Sequence, residues 1–209
     1  MQDHSELDTV KLSVQTGDRF RGGGIEPPVS EQDDIVMHFT DADRAQIDEL
    51  MTHRKRSVEL VAEMLEITPQ QVSPALLKVF IFLHEAGHAY DYIKNFLEKE
   101  MGRCDTPKAT ATAAWRHRFE TEMASLPVPK VTPSALKARI DFAHEVIGVD
   151  TLDDLSPDGE IVRLAKEDPA TLLRMQEEAY KSGESEQRAD AFAVALIQRH
   201  KLIEVLCDQ

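Results

Sequence analysis

The strongest constraint on this chain is the segment 84–88, which reads His-Glu-x-x-His inside a run with helical character. Ser73-Pro74 is typical of a helix start and Gly102 of a helix end, so the pattern predicts one helix between Pro74 and about Gly102. In that helix, His84 and His88 lie four residues apart on one face, where both imidazoles can bind a single ion. Two neutral imidazoles at this spacing suit zinc.

Glu85 lies next to the first histidine and need not bind the ion itself. It is positioned to take a proton from a water molecule that the metal activates. A metal with a neighbouring general base is the arrangement of a hydrolase, so the pattern predicts that Glu85 is catalytic.

The predicted helix is apolar nearly all round, which indicates a central place in the core. Burying two histidines and a glutamate there costs several kcal/mol unless something satisfies them. A metal ion would do so. The alternatives are core histidines that other side chains satisfy, or a degenerate site.

Composition limits the possible functions. The chain has 209 residues with a net charge of −14, and its pI is near 5.0. These values favour a soluble protein and argue against a nucleic-acid partner. The two cysteines, Cys104 and Cys207, form no CxxC pair, so neither a disulfide framework nor a cysteine zinc site is expected.

The N-terminus has no secretory pattern, and charged residues and histidines interrupt the apolar run at 75–93. We therefore expect no membrane span and a cytoplasmic location.

Two regions are expected along the chain. Residues 1–34 are rich in acids, Gly and Pro, which predicts a flexible arm with a possible edge strand at 10–14. Residues 35–209 are predicted to form a single domain that begins with a strand at 35–39. The expected helices span about 42–53, 56–67, 74–102, 109–126, 132–148, 159–166, 169–181 and 184–206. This pattern predicts a mainly α domain with at most a small marginal β-sheet.

A catalytic zinc site needs a third protein ligand. The best candidate is Glu186, because the helix expected from residue 184 has small apolar residues suited to close packing and carries Asp190 on the same face. Asp190 could accept a hydrogen bond from the outer nitrogen of a ligating histidine. Glu184 is a rival ligand, Asp91 could also approach the site, and Glu186 could instead be a solvated surface charge.

Together, His84-Glu85-x-x-His88 and Glu186-x-x-Ala189-Asp190-x-Phe192-Ala193 resemble the gluzincin metallopeptidases. The second part is similar to the Glu-x-x-Ala-x-x-Phe-Ala signature of the ImmA/IrrE family. The resemblance implies a zincin-like (minigluzincin) helical domain that hydrolyses a peptide or protein substrate. It also implies that His84, His88 and Glu186 bind Zn²⁺, that Glu85 is the general base, and that Asp190 supports a ligand.

Several questions stay open at this stage. The protein could be a regulatory protease with a single protein target, a catalytically silent zincin-fold interaction or regulatory protein, or a DNA-associated regulator. An edge strand near 35–39 could align an extended substrate by backbone pairing. The candidate donors to a reaction oxyanion are Tyr90, Tyr92, Tyr180, His144 and His200.

Overall fold

The computed structural model describes residues 5–16, 23–100, 107–124 and 168–207. The chain divides into two compact units, one formed by Met1–Thr121 with Glu184–Gln209 and the other by Glu122–Gly183. The helices predicted at 132–148 and 159–166, and Cys104, lie outside the described residues. Most of the second unit also lies outside them, so the single domain over 35–209 stays a prediction.

A small sheet belongs to the first unit. Its described strands are β1 (Val10–Thr16), β2 (Gly23–Glu26) and β3 (Ile35–Asp41), in the order β1-β3-β2. β1 is parallel to β3 and β2 is antiparallel to it. β1 confirms the edge strand predicted at 10–14. The expectation that 35–39 is an edge is wrong, because β3 has a partner on each side.

Much of the described part of residues 1–34 therefore belongs to the sheet and not to an arm. The sequence pattern did not predict β2, because the strand has only four residues and two of them are glycines. Glycine disfavours a strand unless pairing with a neighbouring strand stabilises it. Its pairing with β3, which sets Gly23 opposite Phe39, supplies the stabilisation that local propensity lacks.

Helices make up most of the rest of the first unit, which confirms the mainly α class with a small sheet. Those in the described residues are α1 (Arg44–His53), α2 (Lys55–Leu65), α3 (Pro74–Tyr92), α4 (Pro107–Ala124), α6 (Glu184–Arg199) and α7 (Leu202–Leu206); the last three residues of α4 are assigned to the second unit. Short 3₁₀ turns lie at Ser5–Thr9 and Pro69–Gln71, and a π turn at Ile93–Leu97 carries α3 on to Glu98–Glu100. α5 (Pro169–Lys181) belongs to the second unit.

The helix ends follow local chemistry. Ser73 caps α3 by accepting a 3.0 Å hydrogen bond from the Leu76 amide, as its position before Pro74 predicts. α1 begins at Arg44, two residues later than predicted, because Asp43 is its N-cap. The predicted last helix is interrupted at Lys201, which adopts a left-handed conformation with φ of 52° and separates α6 from α7.

α3 is the central helix of this unit. One face of β3 is buried, and the Phe39 ring packs edge-to-face on Phe82 of α3 with centroids 5.3 Å apart. A buried apolar cluster joins the first half of α3 to α1, α2 and α6; it consists of Ala42, Ile47, Val58, Val61, Ala62, Leu65, Val72, Leu76, Leu77, Phe80, Ala193 and Ile197. Both α6 and the sheet therefore pack against α3, the helix that carries the two histidines.

No helix in the described parts of the chain is both long and apolar enough to cross a membrane.

Candidate metal centre

α3 holds His84 and His88 one turn apart, and both side chains are buried. The helix is nearly apolar on every side, so burial is what its local sequence favours. The two imidazoles are therefore removed from water and need polar partners within the core.

α6 brings the two acidic candidates to these histidines. His84 contacts Asp190, and His88 contacts Glu186, so the order of partners along α6 is the reverse of that along α3. The two helices therefore run antiparallel. Glu186 is fully buried, which excludes the interpretation of this residue as a solvated surface charge.

The close approach of the helices depends on Gly87, which lies between the two histidines. A Cβ on this residue would lie 2.8 Å from the Ala189 Cα and 3.1 Å from the Phe192 Cβ. The small residues that suggested close packing in the sequence thus lie where α6 meets α3. Without a glycine at 87, the carboxylate of Glu186 could not approach the histidines as closely.

Four polar atoms from three residues converge at the centre of the site. The Nε2 atoms of His84 and His88 are 3.1 Å apart. Glu186 Oε2 lies 3.3 Å from His84 Nε2, and Glu186 Oε1 lies 3.2 Å from His88 Nε2. These three residues form a buried group that could hold a metal ion.

Asp190 determines which nitrogen of His84 faces this centre. Its Oδ1 lies 2.7 Å from His84 Nδ1. A carboxylate at this distance accepts a hydrogen bond from Nδ1–H, so the proton stays on Nδ1 and the Nε2 lone pair is directed toward Glu186 and His88. This is the orientation that a metal ligand requires.

The spacing of these atoms is comparable with that of a zinc-sized tetrahedral site. Ligand bonds of about 2.0–2.1 Å give a tetrahedron with edges of about 3.3–3.4 Å. The two Nε2 atoms are 3.1 Å apart, and each lies 3.2 or 3.3 Å from a different oxygen of Glu186, which is close to these edges. If both Nε2 atoms carried a proton, the two N–H groups would oppose each other across 3.1 Å, a repulsive contact. A divalent cation bound by the Nε2 lone pairs of both rings avoids that repulsion.

Glu85 faces β2. A Cβ on Gly23 would lie 2.5 Å from the Glu85 Cγ and 3.1 Å from its Cδ, so the Glu85 side chain occupies the space that a larger residue at 23 would need. The side chain is half-buried, unlike the fully enclosed Glu186. The glycine of the edge strand thus leaves room for the residue predicted to be the general base.

The rival ligand Glu184 is exposed at the start of α6, where it contacts Arg188 at 3.4 Å. Asp91 is buried, but it contacts two arginines and is not part of the metal-binding group. Neither residue takes the place of Glu186 in the metal-binding group.

The oxyanion candidates occupy different surroundings. Tyr92 is buried, and its hydroxyl lies 3.0 Å from Thr112 Oγ1. Burial raises the pKa of Tyr92, and the hydrogen bond to Thr112 acts in the opposite direction. Tyr90 packs its ring against Phe192. His200 is exposed beyond the end of α6.

His144 and the side chain of Tyr180 lie outside the described residues. The structural contacts of Tyr92 and the exposure of His200 do not support an oxyanion role for either residue.

Sequence reasoning missed four contributors to this region: Gly23, Gly87, Asp91 as an ion-pair partner, and Arg188. The sequence signal for Gly87 was only that a small residue occurs within His-Glu-x-x-His. Gly23 lay in a segment interpreted as an arm, and the partners of Asp91 come from distant parts of the chain. Their roles depend on contacts that local periodicity does not encode.

Comparisons with protein-family models, with curated proteins and with solved structures found no match to this chain. The fold and the site define a mainly α protein with a buried His-His-Glu group that could hold a metal ion.

Proposed function

We propose that this chain is a zinc-dependent metallopeptidase in which His84, His88 and Glu186 bind the ion and Glu85 is the general base. The observation that carries the proposal is the convergence of three buried side chains whose nitrogen and oxygen atoms lie 3.1–3.3 Å from one another between residues. Two imidazoles and one carboxylate form a donor set typical of catalytic zinc sites, which keep a fourth position open. The resemblance of both motifs to gluzincins supports the same assignment.

Zinc bound at this group would polarise the substrate carbonyl and lower the pKa of water. Glu85 accepts a proton from the attacking water and then delivers it to the leaving amine. Asp190 keeps the Nδ1 proton on His84, so the ligating nitrogen stays available. Half-burial of Glu85 leaves its carboxylate accessible to a substrate, which full enclosure would prevent.

We also propose that an extended peptide binds alongside β2. Within the described residues, β2 pairs with β3 on one side, and no strand lies on its other side. Gly23 brings this strand into contact with Glu85. A peptide that pairs with the open edge would run past the general base, using main-chain hydrogen bonds for affinity.

Metal content tests the ligand set. We expect about one zinc per chain in the wild type and strong loss in Glu186→Ala, because removing a ligand removes one metal bond. Glu184→Ala is the matched control: the same truncation two residues earlier on α6 should retain zinc. His117→Ala is the equivalent control for His84→Ala and His88→Ala, because His117 is exposed on α4. Stoichiometric zinc in Glu186→Ala would refute the ligand set.

Peptide hydrolysis tests the chemistry. Glu85→Gln should retain zinc and lose activity by about 10²–10⁴-fold, because the substitution removes proton transfer and leaves the ligands intact. Glu98→Gln, beyond the π turn, removes an exposed charge and should remain active. A zinc-loaded wild type that cleaves no member of a diverse peptide library would instead favour the catalytically silent interaction protein.

A further inference from the structure

Asp91 is a buried carboxylate on α3 to which the proposed chemistry assigns no role. It lies seven residues after His84, or about two turns, and so shares the face of the helix that meets α6. Its side chain is only 4% exposed. Asp91 accepts hydrogen bonds from Arg188 Nε of α6 at 2.9 Å, from Asn95 Nδ2 at 2.6 Å and from Arg118 Nη2 of α4.

The carboxylate compensates two positive charges at once. Both guanidinium groups are partly shielded from water, so their attraction to Asp91 is screened less than that of a surface pair. Arg188 also contacts Ser185 and Glu184 in the first turn of α6. Without the charge of Asp91, the two guanidinium groups would lie near each other with no anion between them and would repel each other.

Two contacts between α6 and α3 lie close to the third metal ligand. Arg188, two residues after Glu186, is bonded to Asp91, and Asp190, four residues after Glu186, is bonded to His84. A slide of α6 by one residue along its axis would move it about 1.5 Å. Metal–ligand distances depart from their standard values by only about 0.2 Å. These two contacts, made to α3 residues on either side of His88, therefore constrain the position of α6 that the metal site requires.

We propose that Asp91 is a positioning residue that, through Arg188, sets the axial position of α6 against α3 and so brings Glu186 to the two histidines. The inference rests on the proposed metal site. It assigns to Asp91 no contact with the metal or with substrate.

Zinc affinity, measured by competition with a chromophoric chelator, and the visible spectrum of the cobalt-substituted protein test this role. Asp91→Asn and Arg188→Gln should each weaken zinc binding about tenfold or more, as loss of supporting contacts does. Both should also alter the cobalt spectrum, which reports ligand geometry. The control is Lys78→Gln, which breaks the ion pair of α3 with Asp41 of β3 and leaves α6 untouched. The control should match the wild type in both measurements.

Two further variants separate positioning from general loss of stability. Arg188→Lys keeps a positive charge and should recover part of the zinc affinity that Arg188→Gln loses. The double variant of Asp91→Asn with Arg188→Gln should bind zinc about as weakly as either single variant. Each substitution already removes the same contact, the one between Asp91 and Arg188. If Asp91→Asn does not fold by circular dichroism, the comparison of Arg188→Lys with Arg188→Gln carries the test.

The outcomes distinguish the two proposals. Wild-type zinc affinity and an unchanged cobalt spectrum in Asp91→Asn, or equal affinities for the Lys and Gln variants at 188, would overturn the positioning role alone. Fully additive losses in the double variant would do the same. A wild type that binds no zinc would overturn the proposed function and this inference with it.

Discussion

Gly87→Ala is the sharpest test of how closely α3 and α6 must approach. The new Cβ would lie 2.8 Å from the Ala189 Cα and 2.9 Å from the Ala189 carbonyl oxygen. Both are backbone atoms, so neither can rotate away. Favourable contact between carbons begins near 3.5 Å, so α6 must retreat by roughly 0.7 Å.

Two effects of this substitution oppose each other. Alanine favours a helix over glycine by about 0.5–1 kcal/mol, whereas overpacking costs about 1–3 kcal/mol. We expect the steric effect to dominate, with a net loss of about 1–2 kcal/mol in the free energy of unfolding. The same retreat exceeds the tolerance of about 0.2 Å for metal bonds, so zinc affinity should fall as well.

Denaturant unfolding of the metal-free protein measures the stability change, and chelator competition measures zinc affinity. Gly24→Ala is the control, because a Cβ there meets no atom within 4 Å. We expect the control to behave as wild type in both assays. If Gly87→Ala unfolded at the same denaturant concentration as wild type and bound zinc equally well, the close approach would not be required.

Two predictions concern other parts of the first unit. Gly23→Ala should lower peptidase activity and retain zinc, because its Cβ would displace the Glu85 side chain, whereas Gly24→Ala should remain active; zinc loss in Gly23→Ala would contradict this. Burial raises the pKa of Tyr92, so the unfolded chain ionises first as pH rises above about 10, and folding stability should decrease there. An alkaline titration of tyrosinate absorbance should show a late phase that Tyr92→Phe removes; a titration unchanged by that substitution would contradict the assignment to Tyr92.

Much of the helical fold could be predicted from the sequence, because helix periodicity and caps are local. Ser73-Pro74 predicted the start of α3, and the spacing of His84 and His88 predicted that they share a face. The sheet was harder to predict. β2 is only four residues long and begins with two glycines, and its partner β3 follows a loop, so its stability comes from pairing and not from propensity.

The candidate site likewise combines features that the local sequence predicts with features that depend on tertiary contacts. The pair of histidines follows from the geometry of one helix, and the predicted metal-binding triad with Glu186 agrees with the group found in the structure. Asp190 also lies where the motif predicted, bonded to His84. The role of Gly23 beside Glu85 could not be predicted, because it depends on a strand that was not expected.

By itself the sequence determined the central helix, the shared face of His84 and His88, and the small residues that permit a close neighbour. These features arise from interactions within a few residues, which a local pattern encodes. Tertiary structure alone decided how α6 is aligned on α3, and therefore where Glu186 and Arg188 lie. That alignment depends on contacts between segments about a hundred residues apart, and a pattern in either segment leaves the distance between them undetermined.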